Sequence, residues 1–301
     1  MMQKLPIKIA LPDAFFQQEE KCEYMVSADM KKVWAVELDL LQEFIRVCTK
    51  YNLRWFVGFG TLLGTIRHKG FIPWDDDIDV IMPRDDFNKL IRIGADAFRH
   101  PYFFQTPITE NGKYFRTHPH LRNSLTTGTP SGDADKDINR GIFMDIFVLD
   151  EILLDEIEAH RRCLNKTKGI GLAVTSYPNL DCSLRKKITR VIKHYVYKPF
   201  YNPQNCFMRF HQEAAKFKGA NSPIVAETSL LYSDRTIWNS SDWDNFELKS
   251  FETLQVRVPV GYHNILTKLY GDYMTPDSSA QNLHGGLIIN PYLSYQEYFK
   301  R

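Results

Sequence analysis

Between Trp55 and Phe87 the chain gathers the residue types that phosphate chemistry needs. Two glycines and a threonine are followed by a basic trio and then by a run of aspartates: WFVGFGTLLGTIRHKGFIPWDDDIDVIMPRDDF. In a strand from Asp77 to Met82, the period of two puts Asp77 and Asp79 on one face, while Ile78 and Val80 turn into a core. Two carboxylates about 7 Å apart along such a strand can grip one divalent ion, or two ions that share a phosphate. Oxygen ligands of this kind suit Mg²⁺ or Mn²⁺. A lone aspartate run is ordinarily a solvated turn, but a turn does not account for the apolar residues that surround Asp79. An EF-hand loop opening at Asp75 fails as well, because its sixth position is Val80 rather than Gly, and Pro83 and Asp86 stand at its ninth and twelfth.

The flanking residues suit the same ligand. Trp55, Phe56 and Val57 form an apolar strand, after which Gly58 and Gly60 let the backbone bend or approach a ligand closely. Thr61 then offers a hydroxyl and an N–H where a helix can begin. Of Arg67, His68 and Lys69, Arg67 is the best phosphate contact through its forked donors, with His68 behind it. Trp74 either stacks on a base or closes the core. Arg84, just past the acid strand, is a weaker candidate for the same anion. Downstream, the apolar strand GIFMDIFVLD (Gly141 to Asp150) contains Asp145. A carboxylate in such a run is costly unless it is paired or metal-bound, so Asp145 is the third metal ligand, and Asp150 at the strand's end reads as a cap or turn residue. His118 and His120 flank a proline but have no third ligand at a usual spacing, and they are not assigned to a metal.

The elements that must position these residues are legible in part. Ser27 caps a helix running to about Lys50, with Trp34, Leu38, Leu41, Ile45 and Cys48 on one face. A second amphipathic helix runs from Asp86 to about Phe98, and a third from Tyr262 to Tyr270 stops at Gly271. The 301 residues, 44% hydrophobic and 13% aromatic, suffice for one catalytic domain with an elaboration. Five widely spaced cysteines without a C-x-x-C pair argue against a disulfide framework or zinc site, and for a reducing compartment. The N-terminus lacks the apolar run of a signal peptide, and no stretch approaches the roughly 20 apolar residues of a membrane span. The expected location is cytoplasmic, with peripheral contact at the inner membrane face if the basic middle binds lipid.

Net charge of +2 hides a sharp division. Residues 161–218 hold 13 Lys/Arg and two acids, whereas the rest of the chain carries 25 basic against 34 acidic residues. Within that segment, LRKKITRVIKHYVYKPFY places Leu184, Ile188, Val191, Ile192 and Tyr195 at helical spacing among basic residues. Such a helix, over 184–198, suits an anionic membrane surface or an anionic polymer, or else it covers part of the core. Nothing resembling a nucleic-acid-binding motif accompanies the charge. The expected division is a leader at 1–26, a catalytic core at 27–160, a basic helical segment at 161–220, and a C-terminal part at 221–301 that completes the catalytic domain.

The run GTLLGTIRHKGFIPWDDDIDV closely resembles the LicD family, a branch of the nucleotidyltransferase-fold superfamily related to polymerase β. The superfamily pattern of glycine with a small hydroxyl residue, acid–hydrophobic–acid, and a third acid on a later strand maps onto Gly60-Thr61, Asp77-Ile78-Asp79 and Asp145. The strand from Gly141 to Asp150 resembles the family's second motif. LYGDYM followed by His284 resembles its C-terminal region, where Tyr270, Asp272 and His284 are candidates to enter the site. The resemblance covers roughly Ser27 to His284 and is weakest through the basic middle. It implies an α+β fold, a nucleotidyltransferase-like sheet flanked by helices with a basic helical insertion. It also implies that Asp77, Asp79 and Asp145 are the catalytic, metal-holding residues, and that Gly60, Thr61, Arg67, His68, Trp74, Arg84 and His284 bind substrate. The implied activity moves phosphocholine or a related phospho-alcohol from CDP-choline or a similar donor onto a sugar of teichoic acid, lipopolysaccharide or a lipid-linked glycan, with CMP leaving. Two other readings stand beside it: a nucleotidyltransferase that uses an NTP and releases pyrophosphate, and a non-catalytic glycan-polymer-binding protein. The latter has no need of metal-type carboxylates.

Overall fold

The computed structural model describes residues 4–175, 184–230, 232–276 and 286–300. A small hairpin, β1 (Glu19–Lys21) and β2 (Tyr24–Val26), leads into the long helix α1 (Ala28–Lys50). Ser27 caps α1 as expected, its hydroxyl accepting from the Met30 N–H at 3.1 Å. The helix is buried on more than the one face that periodicity marks, since Ala35, Val36 and Leu40 are as inaccessible as Trp34, Leu38 and Leu41. A helix apolar on several sides belongs in the middle of a core.

From there the chain builds a mixed sheet. Strand β3 (Phe56–Val57) and helix α2 (Phe59–Arg67) precede β4 (Asp79–Pro83) and α3 (Arg84–Ala97). Then come β5 (Tyr102–Gln105), β6 (His120–Asn123), β7 (Thr127–Pro130) and the ten-residue β8 (Ile142–Glu151). The acid strand thus starts at Asp79 rather than Asp77, and Asp77 lies on the extended segment that enters it. Helix α3 starts two residues earlier than its periodicity suggests, because Pro83 ends β4 and its fixed φ leads straight into a helix.

A basic helical segment follows: α4 (Ile157–Thr175), α5 (Leu184–Tyr197) and α6 (Pro203–Ala214). Asn202 caps α6, with Pro203 at its first position. His160 on α4 reaches the Glu213 carbonyl at 2.9 Å, and His194 on α5 reaches the Ala173 carbonyl at 2.8 Å, so the three helices are tied together. The chain returns to the sheet through β9 (Ile224–Glu227) and β10 (Ile237–Asn239). A hairpin, β11 (Phe246–Phe251) and β12 (Leu254–Pro259), comes next, then α7 (Tyr262–Tyr270), β13 (Leu287–Asn290) and α8 (Tyr295–Tyr298).

Strand β8 is the axis of the seven-stranded sheet. One edge pairs in parallel with β4; the other pairs antiparallel with β6 along its first half and with β9 along its second. Its apolar side chains Met144, Ile146 and Val148 are fully buried in the main core with α1 and β4. Helices and strands segregate rather than alternate regularly, so the class is α+β. Among the described residues, no helix is long and apolar enough to cross a membrane.

Candidate active site

The glycine turn after β3 is built to hold the acid strand. A Cβ on Gly58 would lie 2.6 Å from Ile81 Cγ1, and one on Gly60 would lie 2.6 Å from Asp75 Oδ2. Both glycines are therefore used for close approach, at Gly60 to a carboxylate of the protein itself. Between them Phe59 takes φ 41°, a left-handed conformation that a bulky side chain rarely adopts, and its ring packs edge-on against Phe147 at 5.2 Å. Thr61 Oγ1 accepts the Asp79 N–H at 2.8 Å, and the Gly58 N–H donates to the Asp79 carbonyl at 3.0 Å. Both backbone groups of Asp79 are thus fixed by this turn. The Thr61 hydroxyl, expected at a phosphate, is buried and serves to position the acid.

Register does the rest. Asp145 on β8 sits directly opposite Asp79 on β4 and directly opposite His120 on β6. Residues paired across adjacent strands project to the same face, so His120, Asp145 and Asp79 form a row. Asp77 reaches the same place from the segment before β4: ligand oxygens of Asp77, Asp79 and Asp145 all lie within 4.8 Å of one another. A second group shares Asp145 and joins it with His118 and His120 within the same limit. The third ligand that local spacing does not offer His118 and His120 arrives from a different strand.

The charge state of the row follows from burial and mutual repulsion. Burial, then Asp77 and Asp145, push the Asp79 carboxyl well above its ordinary range, which favours its protonated form where no cation is bound. Burial opposes charge on Asp145 too, but the facing His120 and His118 outweigh it and the carboxyl stays ionised. Burial drives the His120 imidazole down to about 3, so that ring is neutral at neutral pH. Its Nδ1 contacts Arg122 Nη2 and Tyr114 Oη, each at 3.0 Å. Arg122 only donates, so Nδ1 accepts and the ring proton sits on Nε2, 2.8 Å from Asp145 Oδ1. That approach is off the line of a hydrogen bond, and Oδ1 is buried without a donor. An orphaned buried carboxylate oxygen beside two further carboxylates fits a divalent cation, and the proton on Nε2 leaves His120 to steady Asp145 rather than to ligate. The residues present therefore suit a hard, oxygen-ligated ion such as Mg²⁺ or Mn²⁺.

Other acids surround this row. Glu37, fully buried on α1, is raised well above its usual range by burial and then by Asp77, Asp76 and Asp75; its Oε2 accepts no hydrogen bond. Glu227 at the end of β9 is raised by burial and is held by the Ser229 and Leu230 N–H groups. Burial, then the charges of Asp79, Asp75 and Asp77, raise the Tyr270 phenol. Sequence periodicity hides Glu37 on a helix, and nothing local marks Glu227.

The expected substrate contacts meet different fates. Arg67 is half-buried; its Nη1 donates to the Tyr273 carbonyl at 2.9 Å and its Nε to His68 Nε2 at 2.8 Å. Burial and the neighbouring Arg67 lower His68 to about 4, which leaves it a neutral acceptor. Trp74 is buried edge-on against Tyr24 at 5.9 Å and closes the core. Arg84 is turned away from solvent into a two-pronged ion pair with Asp150, its Nε 2.6 Å and its Nη2 2.5 Å from the carboxylate. Its remaining arm meets His211 Nδ1 at 3.1 Å, and the Thr228 hydroxyl donates to the same Asp150 carboxylate. This corrects two expectations at once: Arg84 is a buried structural cation, and Asp150 is its partner rather than a cap. His284 lies outside the described residues.

Comparison with known proteins gives the chain its family. Residues 52–129 match the family described as LicD/FKTN/FKRP, nucleotidyltransferase domain, a span that takes in the glycine turn, the aspartate run and both histidines. The lipopolysaccharide cholinephosphotransferase LicD of Haemophilus influenzae is 31% identical over 270 residues, covering 86% of this chain and 97% of that protein. Uncharacterised proteins of Rickettsia prowazekii and Rickettsia typhi are each 42% identical over 50 residues, 16% of this chain and 19% and 16% of theirs. With similarity sustained over nearly the full length of the Haemophilus protein, the chain belongs to the LicD family.

Proposed function

We propose that the protein transfers phosphocholine, or a closely related phospho-alcohol, from a CDP-activated donor to a sugar hydroxyl of a lipid-linked or cell-surface glycan, releasing CMP. The observation that carries this reading is the row of acids, in register across two strands on a chain that aligns over 86% of its length with a lipopolysaccharide cholinephosphotransferase. The nucleotidyltransferase-type sheet, the CDP form of the donor and the divalent ion belong to the proposal. Lipopolysaccharide is the acceptor that the relative's name suggests; teichoic acid is the other glycan of matching chemistry.

Phosphoryl transfer asks a protein mainly for position and charge neutralisation. Asp77, Asp79 and Asp145 would hold the cation, which when bound neutralises the donor diphosphate and withdraws charge from the phosphorus. Thr61 and Gly58 hold Asp79 by its backbone, so the carboxylate cannot drift when its charge state changes. His120, locked in one tautomer by Arg122, holds its Nε2 2.8 Å from Asp145 and steadies that carboxylate in place. Asp145 is then the group placed to take the proton of the acceptor hydroxyl. Half-buried Arg67, anchored to the chain beyond α7, brings a fixed positive charge for the donor phosphates.

Calorimetric titration of CDP-choline, against CTP and CDP-glycerol and with and without Mg²⁺ or Mn²⁺, tests the proposal. Metal-dependent binding of CDP-choline alone, followed by CMP release when an acceptor is added, is the expected result. Binding of CTP with release of pyrophosphate would replace the proposal with nucleotidyl transfer. No binding of any of the three nucleotides would overturn the CDP donor.

A further inference from the structure

Helix α5 presents an unusual surface. Ile188, Ile192, Tyr195 and Val196 recur at steps of four, three and one, which puts them on one side of the helix. Each is more than half exposed: 51%, 56%, 63% and 52%. Phe200, just beyond the helix, is 80% exposed and lines a hollow of about 290 Å³ with Met208 of α6, itself 52% exposed. Large apolar residues exposed in such number along one side of a helix and just beyond its end mark an interaction site rather than ordinary scatter. The helix is anchored on a different side, where buried His194 bonds to the Ala173 carbonyl. The apolar stripe is therefore not the face by which α5 joins the protein.

Charge says what covers it. From Leu184 to Lys198 the sequence carries Arg185, Lys186, Lys187, Arg190, Lys193 and Lys198 and no acid. A second copy of the chain would bring the same concentration of positive charge to the interface, so self-association through this surface is opposed. An acidic polymer would satisfy the charge but leave Ile192, Tyr195 and Phe200 in water. An anionic bilayer satisfies both, with lipid head groups for the cations and the acyl boundary for the apolar stripe.

We infer that α5 and the residues that follow it, through Phe200, form a peripheral membrane-docking element for anionic phospholipid. The inference rests on the proposed function for its purpose, since it supplies the surface on which a lipid-linked acceptor is met. Its physical grounds, exposure and charge, are independent of catalysis.

Vesicle co-sedimentation tests it directly. The full chain is mixed with vesicles of phosphatidylcholine alone, or of equal parts phosphatidylcholine and phosphatidylglycerol, at low and high salt, with no nucleotide present. Binding is expected to the anionic vesicles only, and to weaken as salt rises. The pair Ile192→Ser and Tyr195→Ser, both on the open side of the helix, should cut partitioning by about tenfold per residue. Lys186→Gln with Lys187→Gln should cut it by about fivefold per charge at low salt. Circular dichroism shows whether each variant is folded.

Absence of binding to anionic vesicles overturns the proposal, and so does binding that the serine pair leaves unchanged. A dimer in sedimentation velocity that the serine pair dissociates would give the stripe to self-association instead. Transfer to a water-soluble, deacylated acceptor is measured in parallel. If the serine variants keep that activity yet lose vesicle binding, docking and chemistry are separate. If the wild type binds vesicles but never turns over a CDP donor, the docking element stands and the proposed reaction falls.

Discussion

Replacing Asp79 with Asn distinguishes an acid cluster made for a cation from a merely buried polar group. Asp79 is 8% exposed, and its ligand oxygen lies within 4.8 Å of those of Asp77 and Asp145. Two unit charges at such a separation repel by about 3 kcal/mol at an effective dielectric of about 20. In the metal-free protein that repulsion favours the protonated form of Asp79. A raised folded-state carboxyl weakens folding as pH climbs from the ordinary carboxyl range toward the raised value, and asparagine removes that slope. Asparagine also copies the shape of the protonated acid, and it keeps the backbone bond to Thr61. In EDTA at neutral pH, Asp79→Asn should accordingly melt at or slightly above the wild-type temperature. Mg²⁺ or Mn²⁺ reverses the order. At about a hundred times its Kd, a bound ion stabilises the wild type by about 2.7 kcal/mol, a rise of about 5 °C for a chain of this size, and the variant should gain little. Turnover of CDP-choline, followed as CMP release, should fall by about a thousandfold or more, as expected when several kcal/mol of transition-state charge stabilisation is lost. A variant that keeps the full metal-induced shift, or turnover within about tenfold of wild type, would refute the reasoning.

Two further substitutions probe the residues whose roles the fold reassigns. Thr61→Val leaves the Asp79 N–H buried without an acceptor and should cost about 1–3 kcal/mol in urea denaturation. It should lower kcat with little change in donor KM, and Thr61→Ser should restore both; a raised KM at unchanged stability would return the hydroxyl to the phosphate. Arg84→Met strands the Asp150 carboxylate in the core and should cost about 3–5 kcal/mol, with donor KM unaltered in the protein that remains folded. Undiminished stability with a raised KM would make Arg84 a substrate contact after all.

What the sequence discloses about this molecule depends on whether a residue is conspicuous by its cost or only by its type. Asp145 stands in an apolar strand where a carboxylate is expensive, and that cost is visible without knowing the neighbours; the fold brings Asp79 and Asp77 to it. The α+β class, the Ser27 cap and the helix after it are legible for a similar reason, because periodicity and capping are local. Arg84 is conspicuous only by type, as a forked cation near a strand end, and type alone does not say which anion it meets. Its partner Asp150 lies 66 residues away and arrives on the neighbouring strand. His120 fails in the opposite direction: judged by local ligand spacing it has no third partner, yet antiparallel pairing of β6 with β8 sets it opposite Asp145. Thr61 reads as a ligand contact because hydroxyls beside glycines commonly meet phosphates, but here that hydroxyl holds the Asp79 N–H, and a buried N–H outranks an optional contact. Glu37 is the most hidden of all, one acid on a helix whose apolar neighbours would bury any residue. Only the approach of the aspartate loop to α1 shows that this acid, too, faces the cluster. A buried charge can thus be found from sequence, but its partner is fixed by strand register and long-range packing, which local spacing does not encode.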